Sequence, residues 1–181
     1  MLPPTAREVY NVRQMLRVDD QLDGEQQTLI KLGERLFPTY LLILTAKDVE
    51  ADEITRIFLA LAAVKSDRSQ FLEYVITGLS HRDDGVRRSA VQLLAHIGSS
   101  RDIAAVVALL SDKEWTVSIV AAKTLVAIGD RRALAAMDVW LATSYPRADR
   151  NARFDETHRQ DIAKYRDELK ARLDKEKKPA K

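Results

Sequence analysis

Apolar residues recur at three- and four-residue steps through most of the chain, and no segment alternates strictly between apolar and polar. Val86, Ala90, Leu93, Leu94 and Ile97 share one face at that spacing, which predicts an amphipathic helix. Gly98 follows as its stop, in the expected left-handed cap that glycine adopts at little steric cost. Ser99 or Ser100 is placed to cap the next helix, with Asp102 in its first turn near the positive end of the helix dipole. Ile103, Val106, Val107 and Leu110 form that helix's apolar face. The pattern restarts at Ser111–Asp112, runs through Val117–Ile128, stops at Gly129 and resumes from about Asp130 to Leu141.

These are two helical hairpins that copy one another at an offset of 31 residues. Val86 falls on Val117, Ala90 on Ala121, Leu94 on Leu125, Ile97 on Ile128 and Gly98 on Gly129. A fixed period of this length is the mark of a stacked array. Upstream the echo is weaker: Asp52 falls on Asp83, Arg56 on Arg87 and Val75 on Val106. Val49–Val64 and Ser69–Leu79, joined by the polar turn Lys65–Arg68, therefore read as a third, degenerate hairpin. Glu25–Leu36 and Pro38–Thr45 read as one more, Thr5–Val18 as a capping helix, and Asp19–Gly24 as the loop after it. Each hairpin leaves apolar surface that only a neighbour can cover, so small residues at matching sites, Ala90 and Ala121, mark close helix approach.

The organisation this implies is a repeat domain over residues 1–145, with N-terminal capping helices at 5–46 and repeats at about 48–79, 80–110 and 111–142. Residues 146–181 supply a polar linker, a C-terminal capping helix and a basic tail. Phe154, Ile162, Tyr165, Leu169 and Leu173 mark one stripe of that helix, which reads as the seal on the open end of the array, the alternative being a helix that pairs with another chain.

Asp83, Val86–Arg87, Ala90, Leu94 and Ile97–Gly98, repeated at Glu114, Val117, Ala121–Ala122, Leu125 and Ile128–Gly129–Asp130, resemble HEAT repeats. The pattern is similar to the short HEAT-like type first recognised in phycobilisome lyases. The second copy departs at Ser118, where the pattern has arginine. The resemblance implies an all-α fold, a right-handed α-α superhelix of antiparallel helix pairs, whose usual work is to hold other macromolecules.

Composition narrows the chemistry. Apolar residues at 46% and charged residues at 31% describe an ordinary globular domain, and no apolar run approaches the roughly 20 residues a bilayer requires. The opening residues lack the basic-then-apolar layout of a secretory signal, so the expected location is cytoplasmic, with no membrane partner. The absence of cysteine excludes disulfides, thiolate metal sites and a cysteine nucleophile. Residues 146–181 hold 12 basic and 8 acidic residues, so the net charge of +2 conceals a slightly acidic array and a basic tail. His81, His96 and His158 are scattered, and none sits in an HExxH motif. GxSxG, GxxxxGK[ST] and GxGxxG are absent as well. The expectation is no enzyme, no catalytic residue, no metal and no cofactor.

The candidate partner-binding residues are Arg87, Arg88, Arg101, Trp115, Arg131 and Arg132. Trp115 stands in a turn between repeats, aligned with Asp84; exposed there it would anchor an interface, and the alternative is that it folds back over a neighbouring repeat. Trp140, aligned with Leu109, is expected beneath the C-terminal segment. The favoured function is a protein-interaction scaffold using the second helices of the repeats. The alternative is a nucleic-acid-binding protein whose arginines contact phosphates, opposed by the acids Asp83, Asp84, Asp102 and Asp130 beside them.

Overall fold

Each stretch with three- and four-residue apolar spacing is a helix, and the described residues hold no strand. The computed structural model describes residues 3–17, 22–143 and 152–176. In chain order the helices are α1 (Ala6–Arg17), α2 (Leu22–Leu32), α3 (Phe37–Leu44), α4 (Ala51–Ala63), α5 (Leu72–Gly78), α6 (Asp84–Ile97), α7 (Ile103–Ala108), α8 (Trp115–Ile128), α9 (Arg131–Thr143) and α10 (Ala152–Glu176). Short 3-10 turns at Gly33–Leu36, Ser69–Phe71 and Leu109–Ser111 join or extend them. Sequence neighbours pack as pairs, the arrangement of a HEAT-like solenoid. The chain divides into two compact units, residues 1–93 and 94–181, with the division inside α6.

In the first unit α1 packs against α2, α3 and α4, and α2 against α4. Leu16, Leu29, Ile43, Ile57 and Leu61 lose essentially all contact with water, each contributing about 1.5–3 kcal/mol. Phe37 meets Phe71 edge to face at 5.1 Å. The start of α4 is closed by a capping box in which Glu53 accepts the Glu50 N–H at 2.9 Å. Asp83 caps α6 by accepting the Val86 N–H at 3.1 Å.

Two expectations for this region are corrected. Of the loop proposed at Asp19–Gly24, Leu22, Asp23 and Gly24 are instead the first residues of α2, and residues 19–21 lie outside the described residues. The helix proposed for Glu25–Leu36 stops at Leu32, because Gly33 has φ +53°, outside right-handed helix geometry. That break turns the chain so that α3 takes α1, rather than α2, as its principal packing partner.

In the second unit α8 is central, with α7 and its 3-10 extension packed on it, and α10 packed on both α8 and α9. Val117, Ser118, Ala121, Ala122, Thr124 and Leu125 are all buried, covering more of the helix than one stripe. From α10, Ile162, Leu169 and Leu173 enter the interior and Tyr165 is half-buried. The Phe154 side chain, the end of the array near Ser144–Pro146, Tyr145, the linker 147–151 and the tail beyond Glu176 lie outside the described residues. Arg166 meets Asp138 at 2.6 Å, and Arg172 donates to the Gly129 carbonyl, fixing α10 to the middle of α9 and to the turn before it.

The expected left-handed cap at Gly98 is not formed, and the stop at Gly129 is not left-handed either. Gly129 is extended at φ −71° and ψ 155°, and Gly33 is the glycine with positive φ among the described residues. Close approach explains both stops: a Cβ on Gly98 would lie 2.6 Å from the Leu94 carbonyl oxygen, and one on Gly129 would drive into that of Leu125. The expected serine cap of α7 is not formed: Asp102 is the N-cap residue instead of lying in the first turn, and no side chain caps the helix, because the serine and aspartate bond within their own turn. Ser99 Oγ accepts the Arg101 N–H at 3.3 Å, and Asp102 accepts the Ser99 N–H at 2.7 Å before α7 begins.

Candidate partner-binding face

The second helices of the last two hairpins, α7 and α9, pack side by side in the 94–181 unit. Between them lies an open groove of about 430 Å³ lined by Val107, Leu110, Ala135, Ala136, Val139 and Trp140. Four-residue steps place Arg131, Ala135, Val139 and Thr143 on one stripe of α9, so the groove wall is a single helix face. Val139 is 61% exposed, an apolar side chain that this face leaves uncovered. Small residues keep the groove open, since Ala135 and Ala136 stand where larger side chains would fill it.

One end of this face is basic. Arg132 donates from Nη2 to the Ser100 carbonyl at 3.0 Å and from Nε to Asp130 at 2.9 Å. These bonds hold the start of α9 against the turn that carries Arg101, gathering Arg101, Arg131 and Arg132, all exposed. The hydrogen bond from Arg132 keeps the Asp130 carboxyl below the usual carboxylate range. Arg101 and Arg131 form no ion pair among the described residues, so their charge is available to a partner.

The other candidates are placed differently. Trp115 opens α8 and is 41% exposed, on a different helix from the groove walls. Arg88 is exposed on α6, in the first unit. Arg87 departs from the expectation of a partner contact. It is only 6% exposed, and its Nη1 donates to the carbonyls of His81 at 2.9 Å and Arg82 at 3.1 Å, so it braces its own turn.

The histidines also separate. His96 is at the surface, and His81 accepts the Asp83 N–H on Nδ1 at 3.1 Å. His158 is buried between α8 and α9, 2.6 Å from Ser118 Oγ and edge-on to Trp140 at 5.6 Å. Trp140 is 6% exposed, in the expected place beneath the C-terminal helix. No group of three or more potential metal ligands occurs among the described residues. No described helix is long and apolar enough to cross a membrane.

Residues 72–153 match the family described as HEAT repeats, which supports reading α5 through α9 as such repeats. HEAT repeats are generally protein-interaction scaffolds rather than enzymes. None of the curated proteins compared with the chain matches it.

Proposed function

We propose that this protein is a non-catalytic scaffold that holds another protein on the second-helix face of its last two repeats. The α7–α9 groove supports this reading: an uncovered apolar wall at Ala135, Ala136 and Val139, continued by the basic end at Arg101, Arg131 and Arg132. Apolar centres with charged margins are the ordinary anatomy of protein interfaces, and Arg and Trp are enriched among the residues that dominate their affinity. Arg88 and Trp115 are secondary contacts on this reading. The 31-residue period favours the short HEAT-like type. We place the scaffold in the cytoplasm, with the N-terminal helices and α10 as the caps of a repeat domain over residues 1–145.

Affinity capture from the native host with the parent chain and with Val139→Glu tests the proposal. Val139 is exposed enough that the variant keeps its helical content. Loss of the captured protein from Val139→Glu is the expected result; retention by it and by Ala136→Glu moves the binding face elsewhere.

A further inference from the structure

A second concave surface lies in the first unit, remote in sequence from the repeats' second helices. It is an open groove of about 620 Å³ between α1 and the Gly33–Leu36 turn with the start of α3. That volume falls within the roughly 300–1,000 Å³ typical of small-molecule sites. Its floor is aliphatic: Val12 and Met15 from α1, and Leu32, Leu36 and Pro38 from the facing segment. The positive φ at Gly33 creates the turn that carries Arg35 to one rim, while Arg7 stands on the α1 side.

The two arginines differ from their neighbours on α1. Arg13 and Arg17 are both engaged with Glu53, at 2.7 and 3.2 Å. Arg7 and Arg35 are exposed and make neither a hydrogen bond nor an ion pair among the described residues. The one carboxylate of the lining, Glu8, is half-buried and accepts the Thr39 hydroxyl at 3.2 Å. Two guanidinium groups against one carboxylate leave the lining net positive, with the free positive charge at the rim.

We propose that this groove binds a single-chain amphipathic anion, a fatty carboxylate, with its head at Arg7 and Arg35 and its tail along the aliphatic floor. Guanidinium groups suit a carboxylate head because they offer paired N–H donors in a fixed plane. A peptide fits less well, because its backbone would need neutral donors and acceptors. Thr39 is committed to Glu8, and Thr5 Oγ1 already accepts the Glu8 N–H at 3.2 Å, which leaves Asn11 as the neutral polar side chain without a hydrogen bond. Tyr10, 62% exposed and three residues from Arg7, adds apolar surface beside that rim.

Isothermal titration of the full chain with decanoate at low salt tests the assignment. Decanoate should bind, should weaken as salt rises, and should lose about tenfold or more in affinity in Arg7→Ala/Arg35→Ala. Both side chains are exposed, so the double variant keeps the helical circular dichroism of the parent. Decyltrimethylammonium and a short polyglutamate peptide should not compete. Failure of decanoate to bind, unchanged affinity in the double variant, or equal competition by either the cation or the peptide overturns the proposal.

Discussion

The Ser118 hydroxyl lies 2.6 Å from Nε2 of His158, joining the helix of the last repeat to the terminal helix across 40 residues of sequence. Ser118 occupies the position that Arg87 fills one period earlier. There the arginine turns inward to the carbonyls of its own turn, whereas here the interior is taken by α10. The departure from the repeat pattern at Ser118 therefore falls where α10 packs on α8.

Ser118→Ala should cost about 1–3 kcal/mol, because it leaves a buried imidazole without that hydrogen bond. Ser118→Arg should do more harm, since the restored repeat residue meets a buried helix interface. Urea titration gives the first number. Hydrogen exchange should show α10 opening selectively in the second variant, and uniform loss of protection would speak against a local cap.

The Arg13–Glu53 pair links α1 to the start of α4. Arg13 Nε lies 2.7 Å from a carboxylate with no exposed surface, and the same carboxylate caps α4. Burial opposes ionisation of Glu53, but hydrogen bonds from Arg13, the Glu50 N–H and Arg17 outweigh it, leaving the carboxyl below its ordinary value. A depressed folded value means that the ionised group stabilises the fold at neutral pH. That contribution is lost as pH falls below about 4.3 and through the folded value. Glu53→Gln should cost about 1.5–3 kcal/mol at pH 7, because it takes the charge from the hydrogen bonds of Arg13 and Arg17 while Arg13 keeps Asp48, and progressively less in acid. Denaturant midpoints of both proteins at pH 7 and pH 3 measure the convergence; a constant gap would remove Glu53 from the acid response.

Gly129→Ala should destabilise by about 1–3 kcal/mol, although the backbone conformation there is open to any residue. The reason is contact, since the added Cβ meets the Leu125 carbonyl and lies 3.0 Å from the Ala133 Cβ. A thermal melt equal to the parent's would show that the turn relaxes freely.

Ala121→Glu should lower stability by more than about 4 kcal/mol, as a charge placed at a fully buried position of α8. Ala90→Glu should act alike in α6, where the alanine is equally inaccessible. Circular dichroism melts decide both, and a stable variant at either site would contradict close helix packing there.

The helices and their glycine stops were legible because a local period of three to four residues records burial directly. The groove was half legible: the arginines stood out, while Val139 could not be told from a core residue on α9's stripe. Gly33 was missed because a single glycine in an apolar stretch carries no sign of its φ. Arg13–Glu53 and Ser118–His158 join residues 40 apart, and such pairs leave no periodic trace. A signal for the latter did exist. Lys123 is the sole charged residue from Trp115 to Ile128, whereas α6 carries Asp84, Arg87 and Arg88, so α8 had to be covered on more than one side.

The scaffold reading is tested most directly by a photo-cross-linking amino acid at position 139, irradiated in extract from the native host. The α7–α9 groove predicts a discrete protein adduct that disappears when Ala136→Glu is added and persists at moderate salt. Cross-linking only to nucleic acid, or an adduct indifferent to Ala136→Glu, would contradict it.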